Sequence, residues 1–225
     1  MKQLTFGILT LLTFHLTYGQ EIKPVTKKSS GFREEFSVLT TDKKVKHGAY
    51  KKYEGKDELV IEGTYDNNIK VGKWKFYAKG ELEQAYDFTT KEIKYVKKPD
   101  YSTKAIINGA IQEIQLDTPP LYIGSKVGLN DELKKAMTYP YQALRMNIEG
   151  KVLVSVWVTE NNEISDIKVM QGIMEECDKE VIKGLTKIEK NWVAGTKDGS
   201  KIKSELFIVI EFKLHDSGDK TITVL

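Results

Sequence analysis

The chain has 225 residues, 40% hydrophobic and 30% charged, a mix that suits a folded globular protein and excludes long disorder. Its 35 basic and 32 acidic residues give a net charge of +3 and are interspersed, so a nucleic-acid partner has no support. Cys177 is the single cysteine, which excludes an intramolecular disulfide.

The first residues read as an export signal. Lys2 precedes an apolar run over residues 4–14, the length of a signal-peptide core. A spanning helix needs about 20 apolar residues, and this run falls short. Thr17 and Gly19 are small, which suits cleavage after Gly19 or one residue later. An uncleaved anchor is the competing reading. A signal peptide over residues 1–19 implies a periplasmic location. Residues 20–35 are polar and are expected to form a flexible lead-in.

An internal repeat follows. The segment Lys46-His47-Gly48-Ala49-Tyr50-Lys51-Lys52-Tyr53 returns 24 residues later as Lys70-Val71-Gly72-Lys73-Trp74-Lys75-Phe76-Tyr77. Gly48 aligns with Gly72, Tyr50 with Trp74 and Tyr53 with Tyr77. Each unit reads as a β-hairpin that buries a face only by stacking on the next. Asp66-Asn67-Asn68 supplies turn chemistry between strands. The spacing resembles MORN repeats, which implies an antiparallel meander; a generic meander with core aromatics is the other reading. The predicted β region spans residues 36–117, with a hairpin turn at Asn108-Gly109. Thr118-Pro119-Pro120 breaks the pattern and opens a linker over residues 118–138. In it, Asn130 is expected to cap a short helix, with Asp131 and Glu132 in the first turn.

The last part, residues 139–225, reads as one small domain. Pro140 suits the start of a short helix that ends at Glu149-Gly150. Val152, Val154, Val156 and Val158 alternate along a strand and share one face. A second strand runs from Ile164 to Met170. A helix from Glu175 to Ile188 carries Cys177, Val181, Leu185 and Ile188 as one apolar stripe. Asp198-Gly199 turns the chain into a final strand from Lys201 to Leu214, with Leu206, Ile208, Ile210, Phe212 and Leu214 on the core side. The order gives two helices on a three-stranded antiparallel sheet, an α+β fold for the whole chain.

An ordered set of residues carries a family resemblance: Tyr139-Pro140 with Ala143, Ile148-Glu149-Gly150-Lys151-Val152, Ile164-Ser165-Asp166-Ile167-Lys168-Val169, Asp178-Lys179-Glu180, Trp192, Gly195 and Ile208-Val209-Ile210-Glu211-Phe212. The set resembles the carboxy-terminal domain of TonB proteins, in the form common in Bacteroidetes. The resemblance implies a non-catalytic module that captures the TonB box of an outer-membrane transporter as an added strand. By that pattern the pairing edge is the last strand: Ser204, Glu205, Leu206, Phe207, Ile208, Val209, Ile210, Glu211 and Phe212. A homodimer through the sheet edge is a further implied partner. An exported adaptor whose repeats bind cell wall or a protein, without energy transduction, is the alternative.

Two features depart from the family pattern. The chain has only 5 prolines and so lacks the long Pro-rich spacer. Ala194 stands before Gly195, where the family usually has proline. Catalytic, cofactor and metal sites find no support. No G-x-S-x-G, H-E-x-x-H or P-loop spacing is present. Cys177 lies on an apolar stripe and reads as packing, and no cofactor is expected.

Overall fold

A computed structural model describes residues 20–29, 31–98, 102–188, 190–216 and 218–225. The proposed signal peptide at 1–19 lies outside the described residues. The fold is mixed α and β, mostly strands, with an antiparallel sheet first and a curled sheet with helices after it.

The first sheet is a seven-strand meander in sequence order: β1 (Ile22–Ser29), β2 (Phe32–Leu39), β3 (Lys46–Glu54), β4 (Glu58–Asp66), β5 (Ile69–Ala78), β6 (Glu81–Asp87) and β7 (Glu92–Val96). The segment expected to be a flexible lead-in therefore carries β1 and the start of β2. β1 pairs over its whole length with β2 yet has no buried residue. Main-chain bonds hold it, so no apolar period marks it in the sequence.

The 24-residue repeat falls on β3 and β5. Gly48 and Gly72 both have positive φ, 94° and 60°. Tyr50 and Trp74 stack at 5.4 Å, and both are buried. Tyr65 meets Tyr50 and Trp74 edge-on at 5.4 and 5.0 Å. The repeated lysines cap this cluster. Lys46 Nζ lies 4.7 Å from the Phe36 ring centre, and Lys70 Nζ lies 4.8 Å from that of Trp74. These aromatics thus form a core. On the other face, the Tyr77 hydroxyl donates to Glu62 and the Tyr53 hydroxyl donates to Glu35.

Next come β8 (Thr103–Ile107) and β9 (Ala110–Ile114), a hairpin whose turn residues Asn108 and Gly109 have φ of 52° and 80°. Positive φ at both positions is the tight turn read from the sequence. This hairpin does not join the meander. β8 pairs instead with the second sheet.

After β10 (Leu121–Tyr122), α1 spans Ser125–Ala136. Asn130 does not cap it. The helix starts five residues earlier, after Gly124 at φ 117°, and Asn130 is buried inside it, where its Oδ1 accepts the Val224 N–H. α2 (Tyr141–Arg145) is shorter than expected and stops before Glu149.

The second sheet has the order β12 (Ile164–Gln171), β11 (Gly150–Val158), β16 (Ser204–Leu214), β8, β9, with β17 (Lys220–Val224) also on β16. The expected three strands are β12, β11 and β16 at one end of it, and three more complete it. α3 (Glu175–Lys187) packs on it through Cys177, Val181 and Leu185, all fully buried, against Val152, Val154, Val156 and Val158. A small pair, β13 (Trp192–Val193) with β10, and a hairpin, β14 (Gly195–Lys197) with β15 (Ser200–Ile202), close the end.

α1 joins the two sheets. Val127 packs on the aromatic cluster of the first sheet, and Leu129 and Leu133 belong to the core of the second. Gln84, buried on β6, donates to the Tyr122 carbonyl at 3.1 Å and accepts the Gly124 N–H at 2.7 Å. Both ends of one buried amide are thereby satisfied across the joint.

Candidate functional site: the outer edge of β16

β16 is a strand because apolar residues alternate over residues 206–214. Ile208, Ile210 and Phe212 are buried, and Phe207 is 47% exposed. Ser204 is buried at the strand's start, and Leu206 and Leu214 are half-buried. On the opposite face Val209 and Glu211 are half-buried. Lys151 lies 3.9 Å from Glu211 across the pair with β11.

Main-chain groups alternate sides as well. The Val209 carbonyl accepts the Leu225 N–H at 2.9 Å, and the Lys203 carbonyl accepts the Ile106 N–H at 2.9 Å. Odd-numbered positions therefore point away from β11, and even-numbered positions bond to it.

The expected free edge over residues 204–212 is narrower than the sequence suggests. β17 pairs with residues 210–214, and β8 meets Ser204. The Thr103 hydroxyl donates to the Glu205 carbonyl at 2.6 Å. Neither strand reaches Phe207, so the uncovered stretch is centred there. The correction has a simple cause. β17 is five residues of modest hydrophobicity after a turn, and β8 sits beside the repeats in sequence, so neither announces its partner.

A cleft of about 430 Å³ opens at this gap. Leu206, Phe207 and Ile208 form one side. Lys97 and Lys98 beyond β7, Pro119 and Pro120, Lys126 on α1 and Leu225 form the others. Lys97 pairs with Glu81, and the Ser125 hydroxyl donates to Glu83.

Glu205 was not singled out as special by sequence reasoning. It is 5% exposed; its Oε1 accepts the Ser155 hydroxyl, and its Oε2 has Lys104 Nζ at 3.7 Å. Glu211 and Lys213 also stand at odd positions of this strand, so the charge alone did not mark it in the sequence. The Cys177 thiol is pushed up to about 11 by burial, with Asp178 and Glu176 adding to the effect. It is a packing group, not a nucleophile. Among the described residues no cluster of three or more His, Cys, Asp or Glu is placed to hold a metal. Among them, no helix is long and apolar enough to cross a membrane.

Residues 135–214 match the family described as Gram-negative bacterial TonB protein C-terminal. The match takes in α2, β11, β12, α3 and β16 and stops before β17. This part of the chain is a TonB-like, transport-associated module of a family that binds and transduces energy and does not catalyse. Comparison with curated proteins and with solved structures gives no match.

Proposed function

We propose that the chain is an exported, periplasmic binding module that captures an extended peptide, the TonB box of an outer-membrane transporter, by strand addition at β16. The observation that carries this reading is the gap at Phe207. Its main-chain donor and acceptor point outward between β8 and β17, beside a cleft of about 430 Å³. Such groups give affinity, and pockets for alternate side chains give selectivity. The first sheet, MORN-like in its repeat, forms a separate region fixed to the module through α1.

Titration of a synthetic TonB-box peptide into the full chain tests this. Binding is expected, and Phe207→Pro should weaken it about tenfold or more, since it removes an outward N–H and spares the bonds to β11. No binding at high micromolar peptide, or equal binding by Phe207→Pro, overturns the reading.

A second reading is favoured by the cover that β8 and β17 lay over both ends of β16. In it the chain is an adaptor without energy transduction, and the repeat sheet makes the contact with cell wall or a protein. A flat peptide titration together with retention on purified cell wall, lost in Tyr53→Ala/Tyr77→Ala, supports it.

A further inference from the structure

The cleft beside Phe207 draws its walls from two parts of the chain. The TonB-like residues 135–214 supply only Leu206, Phe207 and Ile208, all apolar. Every charged residue on the cleft precedes them in the chain: Glu83 on β6, Lys97 and Lys98 just beyond β7, and Lys126 on α1. The first sheet and α1 therefore set the charge of a site whose strand edge belongs to the module.

That charge is uneven, with three lysines against one glutamate. Glu83 is already engaged. Its carboxylate accepts the Ser125 hydroxyl, and its carbonyl accepts the Lys97 N–H at 2.8 Å. The second bond fixes the chain as it leaves β7, and with it the start of the Lys97-Lys98 pair. Lys97 is partly neutralised by Glu81, with 56% of its side chain exposed. Lys98 and Lys126 are exposed and form no ion pair among the described residues. Positive charge on a cleft with apolar walls concentrates an acidic ligand there.

We propose that this cleft selects an acidic flank: the extended peptide that enters at Phe207 carries Asp or Glu beside its apolar run, and Lys98 and Lys126 receive those carboxylates. The inference rests on strand addition at β16. Main-chain pairing at that edge accepts any extended sequence, so it supplies affinity with little choice. The lysine wall adds the choice, because a basic flank is repelled where an acidic one is drawn in. Recognition is then composite. The module offers the edge, and the part of the chain before it decides which peptide stays.

Three synthetic peptides test this. They share one run of alternating Val and Thr and differ only in the residues at both ends of that run, which are Asp, Asn or Lys. Each is titrated into the full chain and into Lys98→Gln/Lys126→Gln. The wild type should bind the Asp peptide about fivefold tighter than the Asn peptide, the scale of two exposed ion pairs, and the Lys peptide weakest. In the variant the Asp peptide should lose that advantage while the Asn peptide binds as before. Added salt should shrink the advantage in the wild type as well. Both substituted lysines are exposed, so the variant should keep the urea midpoint of the wild type. Equal binding of the Asp and Asn peptides by the wild type, tightest binding of the Lys peptide, or a preference that survives in the variant overturns the proposal. The Asn peptide separates this failure from failure at β16. If it binds as tightly as the Asp peptide and Phe207→Pro weakens both, the edge works without the lysine wall. If none of the three binds, the edge reading fails and the proposal falls with it.

Discussion

Lys52 on β3 reaches Asp131 on α1 across 79 residues of sequence, with Nζ 2.7 and 2.6 Å from the two carboxylate oxygens. The Lys52 side chain is 6% exposed and Asp131 is 35% exposed. At the aligned position of the second repeat stands Phe76, which is buried. One repeat thus uses its core position for packing within the sheet, and the other uses it to hold the joint. Lys52→Ala should cost about 2–3 kcal/mol, below the full value for a buried pair because Asp131 keeps some water. Lys52→Met with Asp131→Leu should recover most of that loss. Urea midpoints of the three proteins check both statements.

Gly63 lies beneath the Trp74 indole. A Cβ at residue 63 would sit 2.2 Å from Trp74 Cδ2, and the ring is held by its own N–H donating to the Thr64 carbonyl at 3.1 Å. Gly63→Ala should therefore destabilise the chain by about 1–3 kcal/mol, as overpacking does. Thermal unfolding reads this. Gly55→Ala is the control: nothing lies within 4 Å of its Cβ, so any loss there reflects its φ of 59° alone.

β17 covers the outward groups of β16 from Ile210 to Leu214. A chain that ends at His215 should bind a TonB-box peptide more tightly than the full chain, because the longer edge is then vacant. It should also be less stable, since the buried Val224 is lost. Paired titration and urea melts check the opposite signs.

Glu62 is held below its ordinary value of 4.5, first by the hydrogen bond from Lys75 and then by that from Tyr77. Its contribution to stability is complete above 4.5 and is lost as pH falls through the lower folded value. Stability measured between about pH 3 and pH 7 should decline at the acid end, and Glu62→Gln should flatten part of that decline. An unchanged slope in Glu62→Gln would count against this account.

Much of the fold was legible where side chains face one way. Val152 to Val158 alternate, and all four valines are buried; Cys177, Val181 and Leu185 recur at helical spacing, and all three are buried. Asn108-Gly109 specified its turn by φ. Elements held by the main chain were hidden. β1 buries nothing, and β17 buries only Val224 fully. Asn130 resembled a cap because its side chain does accept an N–H, but the donor is Val224, distant in sequence. The candidate site suffered for the same reason. Sequence identified β16 as a strand, but which of its groups stay uncovered depends on β8 and β17, which meet it through backbone.

The repeat on β3 and β5 spans one down-and-up pair of strands. A copy gained or lost would bring the chain back to the same end of the sheet, though the copies differ in what they offer α1: Lys52 pairs with Asp131, and Phe76 at the aligned position packs within the sheet. The width of the first sheet would thus change in steps of two strands, about 10 Å each.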